Sequence, residues 1–140
     1  MVEEFRVRTG GRSDMVNITG RVREAVEKSG VTDGLAVVFV PHTTAGITIN
    51  ENADPDVVHD ILMKLDKIVT EDRDYRHYEG NSAAHIKALM TGSSVTVILS
   101  GGKPALGVWQ GIFLCEYDGP RDRRVYVEVI EKGGKKCLNS

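Results

Sequence analysis

The sequence predicts an α+β fold around one mainly antiparallel sheet, with its elements in the order ββα-ββ-αα-βββ. Three observations carry this. In Arg123–Ile130, Val125, Val127 and Val129 alternate with Arg124, Tyr126 and Glu128, the period of a strand with one face in a core. Leu35–His42 (LAVVFVPH) is a nearly continuous apolar run rich in β-branched residues, which reads as a buried strand. Asp54-Pro55 followed by Val58, Leu62, Leu65 and Val69 is a capped helix with one apolar stripe; proline has no N–H to waste at the first helical position.

From the start of the chain, residues 2–8 read as a strand, and Gly10-Gly11 turns it toward a second at Arg12–Val16. A helix follows with Asn17 or Thr19 as N-cap; Ile18, Val22 and Val26 recur every four residues, and Gly30 stops it. After the Leu35–His42 strand, Thr48-Ile49-Asn50 forms a short one, and the helix from Asp54 comes next. A third helix starts at Asn81 or Ser82, buries Ile86, Leu89 and Met90, and stops at Gly92. Ser94–Leu99, Gly107–Tyr117 and Arg123–Ile130 are strands, separated by turns at residues 100–104 and 118–120. With no repeat or linker, residues 1–140 are expected to form a single domain with a polar tail from about residue 132.

The chain has 140 residues, 41% hydrophobic and 27% charged, enough for a core without staples. A net charge of −2 with both signs interspersed offers no broad basic face, so nucleic acid is not an expected partner. No stretch approaches a membrane span, and a cytoplasmic location without membrane partners is expected. Cys115 sits in an apolar strand as a small hydrophobe and Cys137 in the polar tail; neither is expected to be catalytic.

The candidate chemistry lies between residues 42 and 85, which hold all four histidines, His42, His59, His77 and His85. Imidazole titrates near neutral pH and is the commonest metal ligand. His42 shares a face with Val38 and Val40 and reaches the rim of the core. Glu51 lies in a polar patch beside it with no evident structural task, whereas Asp54 has its cap. Asp56 and Asp60 share a helix face, but Asp60 also pairs with Lys64, so a solvated face explains them. His59 borders the apolar stripe as a partly buried helix residue. The Gly80-Asn81-Ser82 turn can fold His77 and His85 together, and the N–H groups at the following helix start can hold an anion. Gly107-Val108-Trp109-Gln110-Gly111 contains the only Trp, an amide read as part of a buried strand, and two glycines that admit a close neighbour. Such a Trp–Gln pair can hold a flat heteroaromatic ring, or the Trp can belong to the core.

PHTTAGITINENAD, the His77/His85 spacing, LGVWQGIFLCE and GPRDRRVYV resemble the YjbQ-like family from Thr9 to Ile130, with Val108 where a Thr is more usual. The resemblance implies the YjbQ-like fold, a homotrimer and secondary thiamine-phosphate synthase activity, a transferase reaction. That reaction joins a hydroxymethylpyrimidine diphosphate to a thiazole phosphate and releases pyrophosphate. The family pattern matches His42, Thr44, Glu51, His77, His85, Gly107, Trp109, Gln110 and Arg124, and His59 less firmly. The expectation is a metal-assisted enzyme on a small phosphorylated heterocycle. His42, His77 and His85 are its metal ligands, and Glu51 is a fourth ligand or a base beside His42 and His85. Thr44, Gly107, Trp109, Gln110 and Arg124 bind substrate, Arg124 meeting phosphate. The metal is of zinc type, or magnesium arriving with the diphosphate, and no organic cofactor is expected. The alternatives are a non-catalytic trimeric protein that binds a metabolite or anion, and a metal-dependent phosphoester hydrolase.

Overall fold

The computed structural model describes residues 2–133; Cys137 and most of the polar tail lie outside the described residues. The elements are β1 (Val2–Arg8), β2 (Asp14–Asn17), α1 (Thr19–Ser29), β3 (Gly34–Phe39), β4 (Ala45–Glu51) and α2 (Pro55–Ile68). They continue with α3 (Ser82–Thr91), β5 (Ser94–Ser100), β6 (Lys103–Pro104), β7 (Gln110–Glu116) and β8 (Asp122–Glu131). The α+β class and antiparallel pairing are as expected, and the strands divide between two sheets. One runs β1-β8-β3-β5-β6 and the other β2-β7-β4. The two-residue β6 falls where only a turn was expected, pairing Pro104 with Leu99.

Side-chain alternation assembles the layers. Val38, Val125 and Val127 from the larger sheet meet Ile47, Ile112 and Leu114 from the smaller, and Ile18, Val22 and Val26 of the α1 segment join this core. The opposite face of β7 carries Phe113 and Cys115, followed by Tyr117; these pack with Ala84 and Ala88 of α3 under Val58, Ile61, Leu62 and Leu65 of α2. Strand β7 is therefore covered on both faces, which explains its unbroken apolar run. The outer face of the larger sheet leaves Leu35, Phe39, Ile98 and Ile130 exposed. No helix among the described residues is long and apolar enough to cross a membrane.

Local chemistry sets the boundaries. Asp54 caps α2 as expected, its carboxylate accepting the Asp56 N–H at 2.9 Å, and Gly30 ends α1 in the left-handed conformation. Asn17 holds the start of α1 from one position before the geometric cap Ile18, accepting the N–H and hydroxyl of Thr19. Strand β3 stops at Phe39 rather than His42, since Pro41 has no N–H for the ladder. Helix α3 reverses its expected orientation. Leu89 is 74% exposed and Met90 exposed, Ile86 is half-buried, and the inward face is Ala83, Ala84, Lys87 and Ala88. Small side chains let the helix lie close to β4: a Cβ on Gly46 would stand 2.7 Å from the Gly92 carbonyl oxygen. The α2 stripe is half-buried rather than buried, with Val69 buried just beyond its end.

Candidate functional site

His42 stands where β3 has run out. The last β3–β8 pair is Phe39 with Tyr126, and two residues back along β8 the N–H of Arg124 donates to His42 Nε2 at 2.8 Å. The side chain thus replaces a strand as acceptor. Burial lowers the His42 pKa, and the positive charges of Arg123 and Arg124 lower it further against the opposing pull of Glu116. The ring is held neutral with its Nε2 lone pair in use.

Beside it, the Arg124 guanidinium is exposed and lies 6.0 Å over the Tyr126 ring. Its cross-strand partner is Arg6, also exposed. Like charges directly opposite on a sheet repel, and a bound anion between them would relieve this. Arg6 was missed in the sequence because its relation to Arg124 exists only through the β1–β8 register.

A buried ion pair lies behind His42. Arg123 is 4% exposed and Glu116 0%. Arg123 Nε donates to Glu116 Oε1 at 2.8 Å, and Nη2 donates to Glu116 Oε2 and, at 2.8 Å, to Thr44 Oγ1. Thr9 Oγ1 and the Asp118 N–H also donate to the carboxylate. Burial alone would raise the Glu116 pKa, but these hydrogen bonds outweigh it and hold the carboxyl below its ordinary value. Thr44, expected to bind substrate, is buried and serves Arg123 instead. A sequence signal was available: Arg123 is in phase with the inward Val125 and Val127, and Glu116 with Ile112 and Leu114.

His77 and His85 do come together, their ring centroids 5.2 Å apart and their planes nearly perpendicular. At the start of α3 between them, Asn81 Nδ2 donates to Asp118 Oδ2 at 2.9 Å, and Asn81 Oδ1 is buried without a partner. Burial would raise the Asp118 pKa, but Asn81 and Arg121 hold it below its ordinary value. His59 is exposed rather than partly buried, and its Nδ1 lies 3.2 Å from Asp60, the residue expected to pair with Lys64. Among the described residues no three His, Cys, Asp or Glu side chains gather as a metal site. The expected His42–His77–His85 centre, and Glu51 as its fourth ligand, are therefore not assembled within one chain. The lone pair of His42 Nε2 is also engaged elsewhere.

The Gly107–Gly111 segment differs from expectation in another way. Trp109 is 63% exposed and Val108 83%, so the Trp is not a core residue. They occupy a turn before β7. Gln110 is exposed, not buried in a strand, and its Oε1 accepts the Gly107 N–H at 2.8 Å while its own N–H returns to the Gly107 carbonyl. Asn52 ties this turn to β4, its N–H donating to the Trp109 carbonyl at 2.9 Å and its side chain to the Gln110 carbonyl. Glu51, opposite Gln110 in the ladder, has a structural task after all: its carboxylate accepts the Ala53 N–H at 3.1 Å. The result is a braced turn presenting an indole. Cys115 is buried, and burial pushes its thiol up to about 12.

The UPF0047 protein YjbQ-like family model matches residues 3–132. The chain is 51% identical over 130 residues to the UPF0047 protein MJ1081 of Methanocaldococcus jannaschii, covering 93% of this chain and 94% of that one. It is 45% identical to the UPF0047 protein YugU of Bacillus subtilis, covering 93% and 99%. Among solved structures, a yjbq/upf0047 family protein from Clostridium acetobutylicum is 57% identical with a TM-score of 0.89, covering 91% and 99%. A YbjQ-like protein of unknown function from Sulfolobus solfataricus is 35% identical with a TM-score of 0.89, covering 94% and 97%.

Proposed function

This chain belongs to the UPF0047 protein YjbQ-like family, and on that footing we propose that it is an enzyme acting on a small phosphorylated heterocycle, with thiamine-phosphate synthase chemistry as the specific reaction. The observation that carries this reading is the neutral His42 held against the Arg124 backbone beside the opposed Arg6 and Arg124 guanidiniums. Loss of pyrophosphate from the pyrimidine methylene builds negative charge on the leaving oxygens, and fixed donors stabilise it without reorganising. Arg124 and Arg6 supply the charge, the free N–H of His42 supplies a donor, and the exposed Trp109 supplies a surface for the ring. No step is assigned to a metal held by one chain; magnesium accompanying the diphosphate belongs to the substrate. Assembly as a homotrimer is part of the proposal, supported by the apolar residues left open on the outer sheet face.

The test is turnover of hydroxymethylpyrimidine diphosphate with thiazole phosphate by tag-free protein, alongside the emission of Trp109. Turnover that falls at least tenfold in Arg124→Ala supports the enzyme. Absence of turnover with saturable emission changes favours the second reading, an anion- or metabolite-binding trimer, for which the unpaired Arg6–Arg124 facing is the supporting observation. Neither response overturns both.

A further inference from the structure

The Arg123–Glu116 pair takes no part in that reading, yet its bonds reach both sides of the His42 contact. We propose that Arg123, Glu116 and Thr44 form a positioning device that holds His42 with its proton on Nδ1, making it a neutral hydrogen-bond donor to an oxyanion rather than a base or a metal ligand. The role of the donor rests on the phosphate reading above; the tautomer does not.

The argument begins with the lone pair. Nε2 accepts the Arg124 N–H, so a neutral ring must carry its proton on Nδ1, and a protonated ring would have no acceptor to offer. Among the described residues Nδ1 has no hydrogen-bond partner, which leaves its N–H available to a ligand. A neutral imidazole of this kind polarises an oxygen without giving up a proton, so no acid–base step needs balancing.

What sets the contact is a single guanidinium. Arg123 immediately precedes Arg124, which carries the donor N–H, and its Nη2 also meets Thr44 Oγ1 at 2.8 Å and Thr44 O at 3.3 Å. Thr44 lies two residues after His42. One planar group therefore grips the loop bearing the acceptor and the strand bearing the donor, fixing each relative to the other. Glu116 anchors that group from β7 and is itself held by Thr9 and the Asp118 N–H. Strand β3 ends at Phe39, opposite Tyr126, so its ladder with β8 stops short of Arg124, whose N–H goes to His42.

The test is the ¹⁵N chemical shift pair of the His42 imidazole in the full-length protein, assigned against His42→Gln and read where the ring is neutral. Wild type is expected to show the Nδ1–H form; a predominantly Nε2–H ring overturns the donor assignment. Thr44→Val removes one grip at nearly constant volume and is expected to lower the Nδ1–H to Nε2–H ratio about fivefold, the worth of one neutral hydrogen bond. Thr44→Ser restores it. The double variant Arg123→Met/Glu116→Leu removes both charges together, which buried pairs tolerate far better than loss of one partner, and is expected to release the tautomer further. An unchanged ratio in folded Thr44→Val and the folded double variant overturns the positioning role; should the double variant not fold, the Thr44 pair decides. Inorganic phosphate is then titrated into wild type. A saturable shift of His42 Nδ1 supports the oxyanion partner, and no shift sinks that partner while leaving the tautomer result standing.

Discussion

Gly111→Ala tests whether the Trp109 turn is braced as its hydrogen bonds imply. An added Cβ would stand 2.7 Å from Asn52 Cβ and 3.3 Å from Thr19 Oγ1. Carbon contacts ordinarily begin near 3.5–4.0 Å, so Asn52 must retreat by about 1 Å. The nearest atom is the root of the Asn52 side chain, so a rotamer change does not relieve it. The same displacement opens the bond from Asn52 N–H to the Trp109 carbonyl, 2.9 Å long, and the one to the Gln110 carbonyl. Overpacking costs about 1–3 kcal/mol and each exposed bond about 0.5–1. The lower unfolded-state entropy of alanine returns only about 0.4–1 kcal/mol. A net loss of about 2 kcal/mol lowers Tm by roughly 7 °C for a domain of this length. Thermal unfolding followed by circular dichroism measures that shift, and time-resolved anisotropy of the sole tryptophan measures the turn. A variant as stable as wild type with unchanged indole mobility would refute the bracing argument.

Lys87→Met is expected to change stability by less than about 1 kcal/mol in urea unfolding. Lys87 is buried but its partner Asp66 is largely exposed and stays hydrated alone, while methionine keeps the packing of the stem. A loss above about 3 kcal/mol would show that the ion pair anchors α3 to α2. Stability is also expected to fall in two stages on acidification. His42 has a native pKa below its ordinary 6.5, so the unfolded chain gains the proton first and stability declines as pH drops below about 6.5. His42→Gln should flatten that first stage. Glu116 and Asp118 have native pKa values below 4.5 and 3.8, so the stability they contribute is present above those values and lost as pH falls through the native ones. Denaturant midpoints measured from pH 8 to pH 3 check both stages; a first stage that His42→Gln leaves unchanged removes His42 from it.

Strong periodicity and local punctuation gave the element order correctly. The Asp54-Pro55 start of α2 and the Gly30 stop of α1 are enforced by bonds those residues make locally, and the alternation in β8 follows from one face lying in the core, so one-dimensional inspection finds all three. Helix α3 shows where this fails. Its large residues Leu89 and Met90 carry the hydrophobic signal, but the constraint on its face is closeness to β4, and Ala83, Ala84 and Ala88 satisfy closeness. Hydrophobicity ranks side chains by transfer free energy and is blind to the distance at which two backbones must pass.

The site obeys the same division. His42, Arg124 and the His77–His85 pair could be picked out by residue type, but their roles depend on who meets whom across strands. Thr44 and Glu51 were expected to serve substrate and chemistry and proved structurally occupied, the first by Arg123 and the second by the Ala53 N–H. Arg123 and Glu116 carried no expectation in the sequence and are buried. A buried pair is retained at a desolvation cost, so its presence asks for a compensating gain in geometry. Here the geometry fixed is that of one imidazole against one backbone N–H. Because that lone pair is spent on Arg124, the chemistry of His42 narrows to donation from Nδ1, and anion recognition follows from the hydrogen bond more directly than from the residue's name.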